Sequence, residues 1–158
     1  MLQAVEDTTP IHRVRAILLT DDGKVLFIKR IKPHKSDPYW VAPGGGVESH
    51  DKTLHDALAR ELAEELGADY EILFDAFTLK HHKGGKDLVE HFFVCRLHDY
   101  DISLRYGPEF DDPARGEFLP DAVDLTEDAI ESINIKTEEL RDWLIANLHM
   151  LRMLQELR

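Results

Sequence analysis

Residues 43–68 read PGGGVESHDKTLHDALARELAEELGA, a triple glycine followed by an amphipathic helix that carries acid on its apolar side. Thr53 is suited to cap that helix, with Asp56 three residues on completing a capping box and Asp51 a rival cap. Gly67 is a natural stop. Leu54, Ala57, Leu58, Leu62 and Leu66 recur at helical spacing, at about 0°, 300°, 40°, 80° and 120° on a wheel of about 100° per residue. On the same wheel Glu61 falls at about 340°, Glu65 at about 20° and Glu64 at about 280°. Glu61 and Glu65 therefore point into the apolar stripe. A carboxylate placed there needs a cation, a hydrogen-bond network or a raised pKa. The two are also four residues apart and face each other as like charges. A divalent metal ion between them relieves both problems, and hard oxygen ligands suit Mg²⁺ or Mn²⁺. The other reading of the same wheel is that this end of the helix runs past the core edge and the glutamates are merely wet. Arg60 is an i,i+4 partner for Glu64 and could also hold a glutamate in a ligating rotamer.

Outward from this stretch the pattern is mostly of strands. HRVRAILL at 12–19 and VLFIKR at 25–30 flank the turn signal DDGK at 21–24, which predicts a β-hairpin. Residues 31–39, with two prolines, read as a loop, and WVAP at 40–43 as a short strand. Beyond Gly67, 70–80 and 88–97 are apolar strands joined by a turn over 81–87. Residues 98–116 form an acidic loop, followed by a short strand near 117–120. Thr126 opens a helix over 126–133, with Glu127 and Asp128 favourable in its first turn. The last helix is predicted from Thr137 to about residue 156. Its stripe is Leu140, Trp143, Leu144, Leu148, Leu151 and Leu154, with Asn147 a polar interruption. The order of strands, helix, strands and helices indicates an α+β or mixed-sheet sandwich rather than a βαβ repeat. No linker is visible, so one domain is expected over residues 1–158.

The formal net charge of −12 on 158 residues disfavours nonspecific binding to nucleic acid or an anionic membrane. No apolar run reaches the roughly 18 residues of a membrane-spanning helix, and MLQAVEDTTP does not read as a secretory signal. The single cysteine, Cys95, lies in the apolar run FFVCRL and reads as a small buried residue. A reducing cytoplasm is the expected compartment. An acidic enzyme with a phosphorylated substrate would need metal ions or a local basic patch. The stretch Lys29, Arg30, Lys32, His34, Lys35 is the best such patch, and Arg30, Lys32 and Lys35 are taken as substrate-binding candidates. Trp40 could stack on a base or serve the core. His81 and His82, beside a glycine turn, could touch substrate; His91 reads as a half-buried strand residue.

Pro43 to Glu48 followed by Arg60-Glu61-Leu62-Ala63-Glu64-Glu65-Leu66-Gly67-Ala68 resembles the Nudix box, G-x5-E-x7-R-E-U-x-E-E-x-G-U with U a bulky apolar residue. The second half matches, with Ala68 a weak fit at the last position. In the first half the glutamate position holds Lys52, and a one-residue insertion with Asp51 standing in is the simplest repair. The box covers about a sixth of the chain. The resemblance implies a Nudix α/β/α sandwich with mixed sheet and a metal-dependent pyrophosphohydrolase. Its substrate would be a nucleoside diphosphate linked to another group, such as a nucleoside triphosphate or nucleotide sugar. Glu61, Glu64 and Glu65 would be the catalytic, metal-ligating set with the carbonyl of Gly44 or Gly45, supported by Arg60. Metal ions neutralise phosphate charge and activate water, and a carboxylate accepts the proton. Glu61 or Glu64 could be that base, as could Glu90, Glu109 or Glu117 outside the box. Two other functions stay open: an isoprenoid-diphosphate isomerase, for which Cys95 lacks a motif context, and a catalytically silent ligand-binding domain. The leucines at the end of the last helix could pack internally or against a second copy in a homodimer.

Overall fold

The alternation in HRVRAILL is the key to the layers. In the computed structural model, which describes residues 9–34 and 37–157, this stretch is strand β1 (Ile11–Leu19). Its even positions Val14, Ala16 and Leu18 pack towards one helix, and its odd positions Ile17 and Leu19 pack into a second core. A strand buried on both faces near its end reads as a continuous apolar run, which ILL is.

The remaining strands are β2 (Lys24–Ile31), β3 (Tyr39–Val41), β4 (Gly44–Gly46), β5 (Asp69–Lys83), β6 (Lys86–Asp99), β7 (Glu117–Asp124) and β8 (Ile135–Lys136). The helices are α1 (Leu54–Leu66), α2 (Pro108–Asp111), α3 (Glu127–Glu131), α4 (Glu138–Ala146) and α5 (Leu148–Glu156). All strands join one mixed sheet in the order β5-β6-β1-β2-β3-β8, with β4 on β1 and β7 on β2. Helix α1 covers one face over Leu18, Leu26, Ile28 and Phe93. Helices α3 to α5 cover the other over Ile17, Phe27, Phe92 and Val94. This is the expected α+β fold, an α/β/α sandwich.

One pairing detail creates the cleft. β1 and β2 pair only beside their turn, through Leu18↔Leu26 and Leu19↔Val25. Further along, that edge of β1 takes β4 (Arg13↔Gly46, Arg15↔Gly44), while β6 runs parallel along the whole of its other edge. On the edge that pairs with β1, β2 instead takes β3, while β7 runs along the whole of its other edge. The two strands diverge, and the glycine strand β4 and α1 sit at the point of divergence.

Three expectations are corrected. The turn over 81–87 shrinks to Gly84 and Gly85, with φ of 61° and 77°, and both flanking strands extend to meet it. That is the backbone of a two-residue hairpin turn with both central residues at positive φ. The acidic loop contains α2 and two short 3₁₀ turns at Ile102–Leu104 and Pro113–Arg115. The last helix is two helices broken at Asn147, whose side-chain amide donates to the Trp143 carbonyl at 2.8 Å. A polar side chain that bonds the backbone locally competes with helix continuation. The leucine stripe survives the break: Leu151 is fully buried, and Leu148 and Leu154 pack against the same core, so the stripe is used internally.

Candidate active site

The floor is built from β4 and the second half of α1. Thr53 caps α1 by accepting the Asp56 N–H at 3.0 Å, and Gly67 ends it in a left-handed conformation. Ala57, Leu58, Leu62 and Leu66 are fully buried, which fixes the rotation of the helix. Glu61 and Glu65 are carried inward with them and are only 9% and 8% exposed. They are buried, not merely wet. The Gly44 N–H donates to Glu65 Oε1 at 2.8 Å. A Cβ on Gly45 would stand 2.5 Å from the Glu61 carboxyl carbon, so only glycine leaves this carboxylate its place. Burial pushes the Glu65 carboxyl up to about 7 against the opposing Gly44 N–H. Burial likewise raises Glu61, with Arg60 opposing.

Arg60 is the organising cation. It binds Asp51 twice, Nε to Oδ1 at 3.1 Å and Nη2 to Oδ2 at 2.9 Å. Nη2 also donates to the Gly46 carbonyl at 2.8 Å. Nη1 reaches Glu61 at 3.0 Å and Glu64 at 3.4 Å. Asp51 is 4% exposed at its side chain and also accepts the Glu48 N–H at 2.8 Å. The Arg60 hydrogen bonds hold its carboxyl down at about 2. Lys52 is exposed. Asp51 thus supplies the acid that the Lys52 position lacks, tying loop, helix and glycine strand through one guanidinium.

Above this floor opens a cleft of about 1080 Å³. One wall carries Arg13 and Arg15 from β1, His81 and Lys83 from β5, and Lys86 and Glu90 from β6. The other carries Arg30 from β2, Lys32 just past its end, Tyr39 from β3, Phe118 from β7, Lys136 from β8 and, from the loop before β7, Arg115. Arg15 donates to Glu90 Oε2 at 3.0 Å and to the Ala42 carbonyl at 3.1 Å. His81 Nε2 is hydrogen bonded to Glu90 Oε1 at 2.7 Å. Burial alone would raise Glu90, but Arg15 and His81 together outweigh it and hold the carboxyl below its ordinary value. Across the cleft, Arg30 donates to the carbonyls of Glu117 and Arg115 and lies 3.6 Å from the Phe118 ring centroid.

The structure brings Glu61, Glu65, Gly44, Gly45, Arg30 and Lys32 together at the cleft. Glu64 lies beside it, half-buried against Arg60. Of the outside carboxylates Glu90 and Glu109 line the cleft, whereas Glu117 is exposed on β7. Lys35 lies outside the described residues. Trp40 does not join the cleft walls: strand alternation sends Tyr39 and Val41 there and turns Trp40 to the opposite face. There it packs against the core under α3 to α5 and donates to Asp121 Oδ2 at 2.8 Å. His82 is exposed and pairs with Asp87 at 2.9 Å. Cys95 is fully buried and burial pushes its thiol up to about 12, which excludes a thiolate role. Sequence reasoning missed Arg13, Arg15, Lys83, Lys86, Arg115 and Lys136. The one available signal was Arg13 and Arg15, two cations on one face of an otherwise apolar strand.

The donor set fits a hard divalent cation. Two buried carboxylates whose ionised forms burial disfavours stand beside the backbone of a glycine strand, with a third carboxylate one position away. As placed, Glu61 and Glu64 face Arg60 and Glu65 faces the Gly44 N–H. Among the described residues, no three acidic, histidine or cysteine side chains converge as ready-made ligands.

A mixed sheet between helical layers, with glutamates sunk beneath a basic cleft, defines a small α+β phosphohydrolase-type sandwich. The chain belongs to the Nudix family: the NUDIX domain matches residues 10–139, and its enzymes are hydrolases of phosphoric anhydride bonds. Among solved structures it resembles a Nudix hydrolase from Nitrosomonas europaea, 18% identical over 90% of each chain with a TM-score of 0.66. It also resembles a MutT protein from Methanosarcina mazei Go1, 19% identical over 92% of this chain and 97% of that one, TM-score 0.64. An ADP-ribose pyrophosphatase from Streptococcus suis 89-1591 is 21% identical over 95% and 94% of the two chains, TM-score 0.58. At these identities the likeness speaks to the fold. Among the described residues no helix is long and apolar enough to cross a membrane.

Proposed function

We propose that this Nudix chain is a Mg²⁺- or Mn²⁺-dependent pyrophosphohydrolase. It cleaves the diphosphate linkage of a nucleoside diphosphate joined to another group, as in a nucleoside triphosphate or nucleotide sugar. The observation that carries this reading is the pair Glu61 and Glu65, buried on the floor of a cleft whose walls are basic. Glu61, Glu64 and Glu65, with the carbonyl of Gly44 or Gly45, would hold the metal, which when bound neutralises phosphate charge and activates water. Arg60 fixes the rotamers of Glu61 and Glu64, and Asp51 fixes Arg60. Arg30 and Lys32 bind the phosphates as donors and point charges. A carboxylate in or beside the cleft, Glu61, Glu64, Glu90 or Glu109, would accept the proton of the attacking water.

The unit is a single domain whose partners are small phosphorylated molecules. Its net negative charge argues against nucleic acid and membrane surfaces. The buried free thiol of Cys95 suits a reducing cytoplasm. The reading as a silent binding domain drew its weight from Lys52, and the hydrogen bond of Arg60 to Asp51 supports the catalytic reading over it.

Phosphate release from a nucleotide panel tests the reading. With Mg²⁺ at least one member is cleaved, chelation abolishes turnover, and Glu61→Gln plus Glu65→Gln lowers kcat by about a hundredfold or more. Equal rates in the two proteins would refute the site.

A further inference from the structure

The wall formed by β1 and the β5–β6 hairpin has no part in the reading above beyond Arg15, His81 and Glu90, yet it carries three more cations. Arg13, Lys83 and Lys86 all line the cleft. Among the described residues none of the three has a carboxylate within ion-pair distance. Their placement is costly. Lys83 and Lys86 are directly opposite one another in the antiparallel register. Like charges so placed destabilise a strand pair. The turn between them is two glycines at positive φ, which joins the strands with no slack and holds both lysines at the hairpin tip. Asp87, next to Lys86 in the chain, is taken by His82 on the exposed side. A hairpin end carrying an unopposed lysine pair, with Arg13 on the adjoining strand, is arranged to receive anion from outside the chain.

The opposite wall is separately equipped. Lys136, Lys32 and Arg30 stand 4.2, 5.7 and 6.0 Å from the Tyr39 ring, and none of the three has a carboxylate partner among the described residues. The glutamate floor lies between the walls. A nucleoside diphosphate joined to a neutral sugar presents its charge at the floor and has no anion left for both walls.

We propose that Arg13, Lys83 and Lys86 form a second phosphate subsite. The substrate class is then a polyphosphorylated small molecule with phosphate groups on both sides of the linkage cut at the floor. This rests on the assignment of the glutamate floor as the hydrolytic site, and it adds what lies to either side. The cations act by attraction and by donating hydrogen bonds to several phosphate oxygens, with no role in the bond-breaking step.

The test uses binding and turnover together on the full chain with Mg²⁺, comparing diadenosine pentaphosphate with ADP-ribose for wild type and Arg13→Gln/Lys83→Gln/Lys86→Gln. The wild type binds the pentaphosphate at least about tenfold more tightly in calorimetry, and the triple variant loses most of that preference while ADP-ribose binding moves less than about twofold. Thermal unfolding is unchanged or improved, since the three side chains are exposed and two repel. For whatever is cleaved, the loss appears in KM and not in kcat. Equal wild-type affinity for the two ligands overturns the substrate class. A preference that persists in the triple variant overturns the assignment of these residues. Either result leaves the hydrolase reading standing, because that reading fails only if no Mg²⁺-dependent turnover depends on Glu61 and Glu65. The calorimetric comparison decides the subsite even then.

Discussion

Gly44 and Gly45 are adjacent and chemically identical, and the fold uses them differently. At Gly44, with φ of 148°, an added Cβ would stand 1.9 Å from the Val14 carbonyl oxygen. Backbone in the middle of the sheet cannot yield, so Gly44→Ala should unfold the protein at lower temperature whatever it does to catalysis. At Gly45 the obstruction is the far end of the Glu61 side chain at 2.5 Å. That end can swing away, so Gly45→Ala should melt close to wild type while kcat falls about tenfold or more, as when a supporting group is displaced. Paired melting curves and turnover rates separate the two, and a Gly45→Ala enzyme of full activity would show that Glu61 need not stand there. Asp51 gives a residue-scale prediction in pH. Its carboxyl sits near 2 in the fold against an ordinary 3.8. A carboxyl lowered by folding contributes stability that is present above its unfolded pKa and lost as pH falls through the folded one. Asp51→Asn should therefore melt lower than wild type at pH 5 to 8, and the gap should close between pH 4 and pH 2. A gap that is constant down to pH 2 would mean that the Arg60 pair contributes nothing by its charge.

Helix α1 was legible because its own residues carry the information. Leucines at helical spacing set the buried face, and the glutamates on that face announce a site before any partner is known. The strands were legible for the same reason, since alternation in 12–19 and the apolar run of 88–97 are local. What was misread has two sources, a local competition for the backbone and contacts made far along the chain. Asn147 looked like a tolerated interruption, and its bond to the Trp143 carbonyl ended the helix instead. The cleft cations come from β1, β2, β5, β6, β8 and the loop before β7, and no window of sequence contains the divergence of β1 from β2 that gathers them. Trp40 went the other way: its position in β3 was read, and the face was not. At this scale the load on α1 is measurable. Leu62 is fully buried between the sheet and the helix axis. Leu62→Ala should cost roughly 2–5 kcal/mol in denaturant unfolding with the dependence on denaturant unchanged. A loss under about 1 kcal/mol would mean that the helix is not held by this stripe.

Taken whole, the molecule sets two electrostatic fields against each other. Its net charge is −12, so an anionic substrate approaching from afar is repelled. The cleft reverses the sign: eight arginine and lysine side chains line it against the four carboxylates Glu61, Glu65, Glu90 and Glu109. Which field governs binding follows from range. At about 0.1 M salt the Debye length is about 10 Å, so charges spread over the far surface are largely screened from the cleft, while those lining it act within that length. A focused local field of this kind concentrates ligand and speeds encounter. The two cases predict opposite salt effects. If the global charge governed, added salt would screen repulsion and lower KM. With the cleft governing, added salt screens attraction and raises KM, with kcat changing little because the glutamate floor is shielded. We expect KM for any phosphorylated substrate to rise several-fold between about 0.05 and 0.3 M KCl at saturating Mg²⁺, the steepness increasing with the number of phosphates. Steady-state kinetics across that range gives the answer directly. A KM that falls with salt would show that the basic walls do not meet the substrate, and that its phosphates are held by the metal site alone.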